Sequence, residues 1–485
     1  IYKIAMFYRL NKNTFVRMVA QKGYIYSQLT KHDLVFDAAG AEFLRVLSRE
    51  ACTFEQLFKK LLTAFVAPPV EIVRADFKEF LEMLTEYKYL TKGETPEECD
   101  AQEIVFSYRT TEDIKTETDH FKQDLPWKTC DTDTSKLFNE EHRTNPRIHG
   151  CQIEINNLCN ERCIHCYIPH HLKTKRLSKE DLFDILEQLH DMGTLCLTLS
   201  GGEPLLHPDF IPLLYKAREL DFTINLLSNL TCLNEAKLKA IKDCNVSFVQ
   251  TSLYSLVAEE HDHITKLNGS YAKTMAAIEK LIEADVPVQI SCPTMRSNYK
   301  TYKEVIKWAQ ERRLKAQTDY IMMARTDFTS DNLDERLTLE ETGDLIRDII
   351  SADKSYINMM KDYTPSIPEQ IKHDYVCGAG IDNICVSADG NYYPCSGWQG
   401  YPVGTIKERL RDVWEKSTSL QMVRNIRKGD FKECLQCNDR DFCNACLVRN
   451  FNENGGDMFK VSKHFCEVAA LNHRLANEFC AECAK

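Results

Sequence analysis

The feature that most constrains the fold is a repeated alternation of predicted strands and helices between residues 151 and about 330. The segment after the first strand contains an amphipathic helix, Lys179–Met192, and Ser178 is placed to cap its first turn. Repeated strand–helix units pack as a parallel sheet covered by helices, so we predict an α/β fold whose sheet closes, or nearly closes, into a barrel. The predicted strands are Cys151–Ile155, Leu195–Leu199, Thr223–Leu227, Ser247–Ser252, Val286–Ser291 and Ala316–Ile321.

Residues 1–92 have a different pattern, which predicts a small winged-helix domain. Short alternating stretches predict two strands, and Thr53 is placed to cap an amphipathic helix. The predicted elements are strands Phe15–Ala20 and Tyr24–Leu29 and helices Ala38–Leu47, Phe54–Phe65 and Glu71–Tyr87.

Composition divides the rest of the chain. Residues 93–147 are polar, mixed in charge and without sustained periodicity, so we interpret them as a linker or bridging region. We place the barrel at 148–335, a helical connector at 336–375 and a cysteine-rich domain at 376–485. Several domains are expected, because 485 residues exceed what one hydrophobic core usually organises.

The cysteine content limits the chemistry and the compartment. The chain has 21 cysteines, far above ordinary usage, and no basic segment followed by a short apolar run at its start. We therefore expect no secretion signal and a cytoplasmic location. In a reducing compartment, metal or cluster ligation explains the cysteines better than disulfides, which are the alternative.

Charge and hydropathy argue against two classes of partner. The formal net charge is −11, whereas binding to nucleic-acid phosphates requires a clustered excess of Lys and Arg. No stretch approaches the roughly 18 consecutive apolar residues of a membrane helix. We expect neither a nucleic-acid nor a membrane partner.

Three cysteines lie directly after the first predicted barrel strand. Cys159, Cys163 and Cys166 form a C-x3-C-x2-C array on a loop. Three thiolates can hold three irons of a 4Fe–4S cluster and leave the fourth iron open to chelate a substrate. A zinc site is the alternative, but structural zinc normally takes four protein ligands.

This array resembles that of the radical S-adenosylmethionine (SAM) superfamily, whose cysteine loop is followed by an aromatic residue, here Tyr167. The resemblance implies a partial (β/α)6 barrel. It also implies that the open iron chelates the amino and carboxylate groups of SAM. Electron transfer to SAM would then release a 5′-deoxyadenosyl radical.

Further motifs follow in the order that this resemblance implies. Gly201, Gly202 and Glu203, which precede Pro204, match the family's GGEP element, whose backbone and Glu receive the SAM amino group. A Gly-Gly-Glu-Pro turn alone is a weak signal, since Gly and Pro mark turns in many folds. Its position after the second predicted strand makes the match specific.

The third and fourth strands end in residues that match the family's SAM ribose contacts. Ser228 and Asn229 follow the third strand, and Ser252 ends the fourth. The Asp-Gly that usually follows this Ser is replaced by Tyr254-Ser255, a departure from the family pattern. His261 and Asp262 also fit a family pattern, and we expect them to be structural.

Near the end of the chain, Cys434, Cys437, Cys443 and Cys446 form a C-x2-C-x5-C-x2-C array, and Cys466 lies further on. This pattern resembles the SPASM extension of radical SAM enzymes, which holds auxiliary iron–sulfur clusters. The resemblance implies two auxiliary 4Fe–4S clusters, and so three clusters in the chain. Cys446 follows Cys443 after two residues instead of the usual three, and a zinc ribbon is the alternative. The implied ligands are Cys434, Cys437, Cys443 and Cys466 for the distal cluster and Cys377, Cys395 and Cys446 for the proximal one.

The fourth ligand of the proximal cluster is left open by the sequence. Cys385 is available, but it lies on a predicted strand, Ile384–Ser387, where a buried structural thiol is equally expected. An unfilled position could instead accept a substrate group.

The N-terminal domain resembles the peptide-recognition element of enzymes that mature ribosomally made peptides. In those proteins a leader peptide adds a strand beside the winged-helix sheet. The alternatives are a nucleic-acid-binding winged helix and a mere docking domain. The acidic helix Glu71–Tyr87 would repel phosphates and argues against the first.

These observations predict a radical SAM maturase of a ribosomally made precursor peptide that carries a leader sequence. A thioether or carbon–carbon crosslink is the expected product, and an external electron donor of the flavodoxin or ferredoxin type is the expected redox partner. No residue is singled out as a general base. The alternatives are a sulfatase-maturase-like or small-molecule radical SAM dehydrogenase, and a non-catalytic iron–sulfur or zinc protein.

Overall fold

The computed structural model of the chain describes residues 5–66, 68–109, 130–131, 141–352 and 363–483. The N-terminal part forms two small antiparallel sheets, with strand orders β5-β1-β6 and β2-β3-β4-β7. The strands are β1 (Phe7–Leu10), β2 (Thr14–Val19), β3 (Lys22–Ser27), β4 (His32–Phe36), β5 (Cys52–Thr53), β6 (Leu90–Gly93) and β7 (Cys130–Asp131).

The helices of the N-terminal part pack their apolar faces on the first sheet and on each other. Thr53 caps α2 as predicted: its hydroxyl accepts from the Gln56 amide at 3.2 Å, and the Gln56 side chain accepts from the Thr53 amide at 2.8 Å. Phe58 and Phe77 are buried in the core between them. The helices are α1 (Ala38–Arg45), α2 (Phe54–Leu62), α3 (Val70–Glu86) and α4 (Pro96–Ala101).

The N-terminal part has more β-structure than the sequence predicted. The two predicted strands and three predicted helices are present within three residues, but β1, β4, β5, β6 and β7 were not predicted. These strands are two to five residues long, too short for periodicity to register. Residues 110–129 and 132–140 of the predicted linker, and residues 353–362 of the predicted connector, lie outside the described residues.

A nine-stranded sheet forms the centre of the molecule, with strand order β13-β12-β11-β10-β9-β8-β14-β15-β16. Strands β8 to β13 are parallel and coincide with the six predicted barrel strands within two residues. The α/β partial-barrel prediction is therefore confirmed. The strands are β8 (Gly150–Asn156), β9 (Cys196–Gly201), β10 (Thr223–Leu227), β11 (Phe248–Ser252), β12 (Val288–Pro293), β13 (Lys315–Asp319), β14 (Asn383–Val386), β15 (Asn391–Tyr393) and β16 (Gly404–Thr405).

Amphipathic helices cover the outer face of this sheet. Ser178 caps α5 through a hydrogen bond from the Asp181 amide at 3.0 Å, as the sequence predicted. Leu182, Ile185 and Leu189 of α5 enter the main hydrophobic core. The helices of this part are α5 (Lys179–Asp191), α6 (Phe210–Glu219), α7 (Glu235–Asp243), α8 (Ala258–Thr265), α9 (Ser270–Glu283) and α10 (Tyr302–Glu311).

The cysteine-rich region completes the sheet instead of forming a separate one. Strand β14 pairs in parallel with β8, Cys385 opposite Gln152, and β15 and β16 follow antiparallel. Helix α17 packs along α11 through Ile346, Ile350 and Leu475. The remaining helices are α11 (Leu339–Ala352), α12 (Pro368–Ile371), α13 (Leu410–Lys416), α14 (Thr418–Asn425), α15 (Lys432–Leu435), α16 (Leu447–Glu453) and α17 (Lys463–Cys483).

The N-terminal part is fixed to the amino ends of the barrel strands. The Arg17 guanidinium donates to the Thr194 carbonyl at 3.1 Å, and Gln28 donates to the Asn245 carbonyl at 2.6 Å. Both barrel residues precede strands, so this end is opposite the loops that follow β8 and β9. No helix in the described ranges is both long enough and apolar enough to cross a membrane.

Candidate functional site

The first candidate site is the loop after β8 that carries Cys159, Cys163 and Cys166. A turn brings the Cys166 amide to the Cys163 carbonyl at 3.1 Å. The end of α8 supports the loop, since the Arg162 amide donates to the Thr265 carbonyl at 2.9 Å. The loop thus lies at the carboxyl end of the barrel, as predicted.

The three thiols are close enough to affect one another's ionisation. Burial, the Glu161 carboxylate and the thiols of Cys166 and Cys159 together raise the pKa of Cys163 well above its ordinary value. Although burial opposes it, the pKa of Lys173 is raised, because the attraction of the Cys166 and Cys159 thiolates is larger than the effect of burial. The loop therefore presents three neighbouring sulfur donors with an ammonium group beside them.

The donor set fits an iron–sulfur cluster better than a single zinc ion. A mononuclear site needs its ligands within about 2.3 Å of one point. Within the described residues, no three His, Cys, Asp or Glu side chains are arranged around one point in this way. Thiols that are near one another but do not converge on a point suit the larger size of a cluster.

The glycines of the GGEP element are required by close contact with the cysteine loop. A Cβ on Gly201 would lie 1.9 Å from the Asn156 carbonyl oxygen, and one on Gly202 would lie 2.3 Å from that of Leu158. Gly201 also has φ +138°, which L-residues rarely adopt. The Gly202 amide donates to the Asn156 carbonyl at 2.9 Å, so the end of β9 lies directly against the segment that leads into Cys159.

The ends of β9 and β10 bring together three residues that the resemblance assigned to SAM binding: Glu203, Ser228 and Asn229. The fully buried Glu203 carboxylate accepts from the Ser228 hydroxyl at 2.7 Å, the Asn229 amide at 2.7 Å and the Leu205 amide at 2.9 Å. Burial raises the pKa of Glu203 to about 7. Glu203 therefore also fixes two neighbouring strand ends, a role that the sequence did not disclose.

Ser252 lies at the end of β11, and Tyr254-Ser255 follows in place of the usual Asp-Gly. The Tyr254 amide donates to His261 Nδ1 at 3.3 Å, and its hydroxyl lies 3.4 Å from His165 Nε2. The aromatic side chain is buried against the cysteine loop. Tyr254 thus connects α8 to the loop.

Asp262 has the structural role expected for it. Its carboxylate accepts from the Gly269 amide at 2.5 Å, the Ser270 hydroxyl at 2.9 Å and the Tyr271 amide at 2.8 Å. These bonds join α8 to the start of α9. Among the residues that the structure describes, the carboxylate has no contact with the cysteine loop.

The predicted distal ligands come together around one cavity of about 470 Å³. Burial and the neighbouring thiols of Cys466 and Cys434 raise the pKa of Cys443 to about 11. Five thiols around a cavity of this size fit an iron–sulfur cluster. The cysteines that line it are Cys434, Cys437, Cys443, Cys446 and Cys466.

The predicted proximal ligands also come together, although they come from distant parts of the chain. Burial and the thiols of Cys446 and Cys395 raise the pKa of Cys377 to about 11. Cys395 follows β15 and Cys446 precedes α16, so the tertiary fold alone makes them neighbours.

Cys385 lies on β14 and is completely buried. Its neighbours in sequence, Ile384 and Val386, enter the outer hydrophobic core, so Cys385 points to the inner face of the sheet. Burial and then Glu154 raise its pKa, with smaller effects from other thiols that include Cys395. The thiol is thus near the proximal set without belonging to its centre.

Two residues that sequence reasoning did not select, Glu154 and Gln399, lie with Tyr167 between the first and the proximal thiol sets. The buried Glu154 carboxylate accepts from Gln399 Nε2 at 2.7 Å and from the Tyr167 hydroxyl. Burial raises the pKa of Tyr167, and four neighbouring groups raise it further: Glu154, Cys166, Cys385 and Cys395. Because these neighbours come from both sides, the Tyr167 ring lies between the first and the proximal thiol sets. The sequence did contain a signal for Glu154, because polar and apolar residues alternate along β8 and the polar ones share the inner face of the sheet.

Comparisons with known proteins agree with this geometry. The model of the radical SAM superfamily matches residues 153–309, and that of the SPASM iron–sulfur cluster-binding domain matches residues 377–438. An AdoMet-dependent heme synthase of Oleidesulfovibrio alaskensis is 23% identical over 63% of this chain and 84% of its own length. A PqqA peptide cyclase of Rhizobium meliloti is 27% identical over 60% and 81%.

A solved structure extends the likeness to the N-terminal part. Streptococcus suis SuiB bound to its precursor peptide SuiA aligns with a TM-score of 0.61 at 15% identity, covering 95% of this chain and 99% of SuiB. At this identity the likeness shows the fold alone. The family matches set aside the non-catalytic alternative, and they imply iron–sulfur clusters and SAM as cofactors. The chain is a radical SAM enzyme with a C-terminal SPASM domain.

Proposed function

We propose that the enzyme modifies a ribosomally made precursor peptide and forms a thioether or carbon–carbon crosslink. The observation that carries this proposal is the β-rich N-terminal part, which is fixed to the barrel in addition to the two cysteine regions. The similar SuiB structure contains a bound precursor peptide, and that likeness spans 95% of this chain, including the N-terminal part.

The first thiol set would hold the cluster that generates the radical. Cys159, Cys163 and Cys166 would bind a 4Fe–4S cluster, which together with SAM supplies a 5′-deoxyadenosyl radical when reduced. Glu203 and the backbone of Gly202 would orient the amino group of SAM. The burial of Glu203 helps to exclude water from the place where a reactive species would form.

The ends of β10 and β11 would complete the SAM site. Ser228, Asn229 and Ser252 would contact the ribose, as the family resemblance implies. The Ser228 hydroxyl already donates to Glu203, so it would offer its oxygen to the ribose as an acceptor. Tyr254-Ser255 replaces the usual Asp-Gly, and the Tyr254 side chain would fill space beside the loop.

The second and third thiol sets would hold two auxiliary 4Fe–4S clusters. Cys434, Cys437, Cys443 and Cys466 would bind the distal cluster, and Cys377, Cys395 and Cys446 the proximal one. The open proximal position would accept a substrate thiolate or Cys385. An auxiliary cluster can take up the electron that crosslink formation releases.

The sheet β2-β3-β4-β7 would hold the leader peptide. Strand β4 already pairs with the two-residue strand β7, Val35 opposite Asp131 and Phe36 opposite Cys130. The β4 edge thus already pairs with an added strand at these two residues, and a leader peptide would dock on the sheet in the same way, as a further strand.

The decisive experiment is anaerobic incubation of the reconstituted full chain with SAM, reductant and a candidate precursor peptide. We expect 5′-deoxyadenosine together with a peptide mass that is lower by two hydrogens. The isolated leader, added in excess, should inhibit the reaction. A core peptide modified equally well without its leader, and without such inhibition, would contradict the leader-binding role.

A second candidate function is oxidation of a small molecule. The heme synthase relative supports it, since its match covers 84% of that enzyme. Turnover of an iron porphyrin precursor, with no peptide modified from the gene's neighbourhood, would favour this alternative.

A further inference from the structure

We propose that Lys173 sets the reduction potential of the SAM-binding cluster, because its ammonium group lies against the sulfur atoms of the first thiol set. The proposal rests on the cluster proposed above for Cys159, Cys163 and Cys166, and it is independent of the substrate. Lys173 lies seven residues after Cys166, outside the cysteine motif. The spacing of the motif does not single it out, and the folded chain brings it back to the cysteine loop.

The burial of Lys173 differs from that of its neighbours in sequence. Residues 171–176 form an exposed run in which Lys173 alone is half-buried. Withdrawing an ammonium group from water is costly unless a negative charge compensates it. Among the described residues, Lys173 forms no salt bridge with a carboxylate. Its position therefore calls for another anionic partner.

That partner is the first thiol set. Burial opposes the charged form of Lys173, yet its pKa is raised, because three thiols attract the ammonium group: Cys166, Cys159 and Cys163. Lys173 also lines the same cleft as Cys163 and Cys166. The positive charge is thus placed beside sulfur atoms that would bind iron.

The backbone holds Lys173 in this place through Asn157, which lies two residues before Cys159. The side chain of Asn157 donates to the Leu172 carbonyl at 3.0 Å and accepts from the Lys175 amide at 2.7 Å. The Asn157 amide donates to the Lys175 carbonyl at 3.0 Å. The residues on either side of Lys173 are therefore bonded to the segment that leads into the cysteine loop.

Two other charged groups beside the loop have different effects. Arg325 donates to the Cys166 carbonyl at 3.0 Å, but its guanidinium also pairs with Asp331 at 2.8 Å, which offsets its charge. The buried Glu161 carboxylate acts in the opposite direction to a cation, and the Cys163 thiol donates to it at 3.5 Å. The charge of Lys173 thus opposes that of Glu161 at the same sulfur atoms.

The effect of this charge follows from what reduction does to a cluster. Reduction adds one electron and so one unit of negative charge, and no atom or proton moves. A cation fixed beside the sulfur ligands stabilises the more negative form and raises the reduction potential, which depends on local charge and solvent exposure. Because Lys173 is partly withdrawn from water, solvent and salt screen its charge less than that of an exposed lysine.

A redox titration of the reconstituted full chain tests the proposal without SAM or peptide. Dithionite supplies the electrons, and electron paramagnetic resonance follows the reduced first cluster. Its signal is the part of the parent spectrum that is missing from the triple variant Cys159→Ala, Cys163→Ala, Cys166→Ala. Lys173→Met removes the charge and keeps a long side chain. We expect its reduction equilibrium to shift about tenfold toward the oxidised form, about 59 mV for one electron.

Further variants separate the charge from the structure. Lys173→Arg keeps the positive charge and should have a potential close to that of the parent. Lys175→Met removes the same charge two residues away, at an exposed position, and should also match the parent. If Lys173→Met takes up no iron in the first set, Lys173→Gln replaces it in the titration, because it is neutral and keeps a polar side chain.

Three results would overturn the proposal. They are an equal potential in Lys173→Met and the parent, an equal shift in Lys175→Met, and loss of first-set iron from both neutral variants, which would give Lys173 a role in assembly instead. A parent chain without a signal from the first set would overturn the cluster assignment as well. A normal parent signal with an unchanged potential would overturn the role of Lys173 alone and leave the proposed function standing.

Discussion

The first and the proximal cysteine sets are built in opposite ways. Cys159, Cys163 and Cys166 lie on one short loop, whereas Cys377, Cys395 and Cys446 are brought together from segments up to 69 residues apart. The local set depends on the neighbouring strand end and helix that support its loop. The distant set depends on the whole cysteine-rich region being folded, including the addition of β14 to the barrel sheet.

The largest expected effect separates the two sets by function. The triple variant Cys159→Ala, Cys163→Ala, Cys166→Ala should form no 5′-deoxyadenosine, because no ligands remain for the cluster that reduces SAM. It should retain the iron of the auxiliary sets, which have their own ligands. Iron analysis and chromatography of the nucleoside products check both points. Loss of all iron would show that the sets do not assemble independently.

A second prediction tests how the local loop is supported. Gly202→Ala should destabilise the protein by about 2 kcal/mol or more, because the new Cβ would lie 2.3 Å from the Leu158 carbonyl oxygen. It should also lower the iron content of the first set.

The control for this variant is Gly193→Ala. Gly193 has φ +78° but nothing within 4 Å of an added Cβ, so only about 1 kcal/mol of backbone strain is expected. Thermal unfolding and iron analysis compare the two variants. Equal losses would show that contact with the loop is unimportant.

A third prediction concerns acid sensitivity of the helix that supports the loop. Burial lowers the pKa of His261 from 6.5 to about 4, so this imidazole stays neutral in the folded chain while the unfolded chain takes up a proton. Its contribution to stability is therefore present above pH 6.5 and is lost as the pH falls toward 4. At 1.36 kcal/mol per pKa unit the loss is at most about 3 kcal/mol.

Replacing this imidazole should flatten the pH dependence. His261→Gln should reduce the fall in unfolding free energy between pH 6.5 and 4, and chemical denaturation across that range measures it. His263→Gln, at an exposed position of the same helix, is the matched control and should keep the parent slope. Identical slopes for both variants and the parent would contradict the assignment.

The smallest expected effect concerns Cys385. Cys446→Ala should lower the content of auxiliary iron, because the Cys446 thiol is close enough to raise the pKa of both Cys377 and Cys395. Cys385→Ala should lower the iron content less, because Cys385 lies to one side, beside Glu154. Iron content and electron paramagnetic resonance of the reduced protein compare the two. Equal loss would assign Cys385 as the fourth proximal ligand.

Much of the barrel was predictable because its signals are local and repeated. Each strand–helix unit has its own periodicity, and the cap at Ser178 is a property of a few adjacent residues. The cysteine loop and the GGEP turn are likewise short segments whose spacing alone indicates their chemistry. The short strands of the N-terminal part were missed because four or five residues carry too little pattern.

The sequence by itself determined which residues can hold clusters and that the barrel would place the first set at the carboxyl ends of its strands. Only the tertiary structure decided the placement of β14 beside β8, the contacts of Glu154 with Tyr167 and Gln399, and the meeting of Cys377, Cys395 and Cys446. These features join residues that are far apart in the chain. Their contacts follow from the packing of whole elements, which no local pattern of residues records.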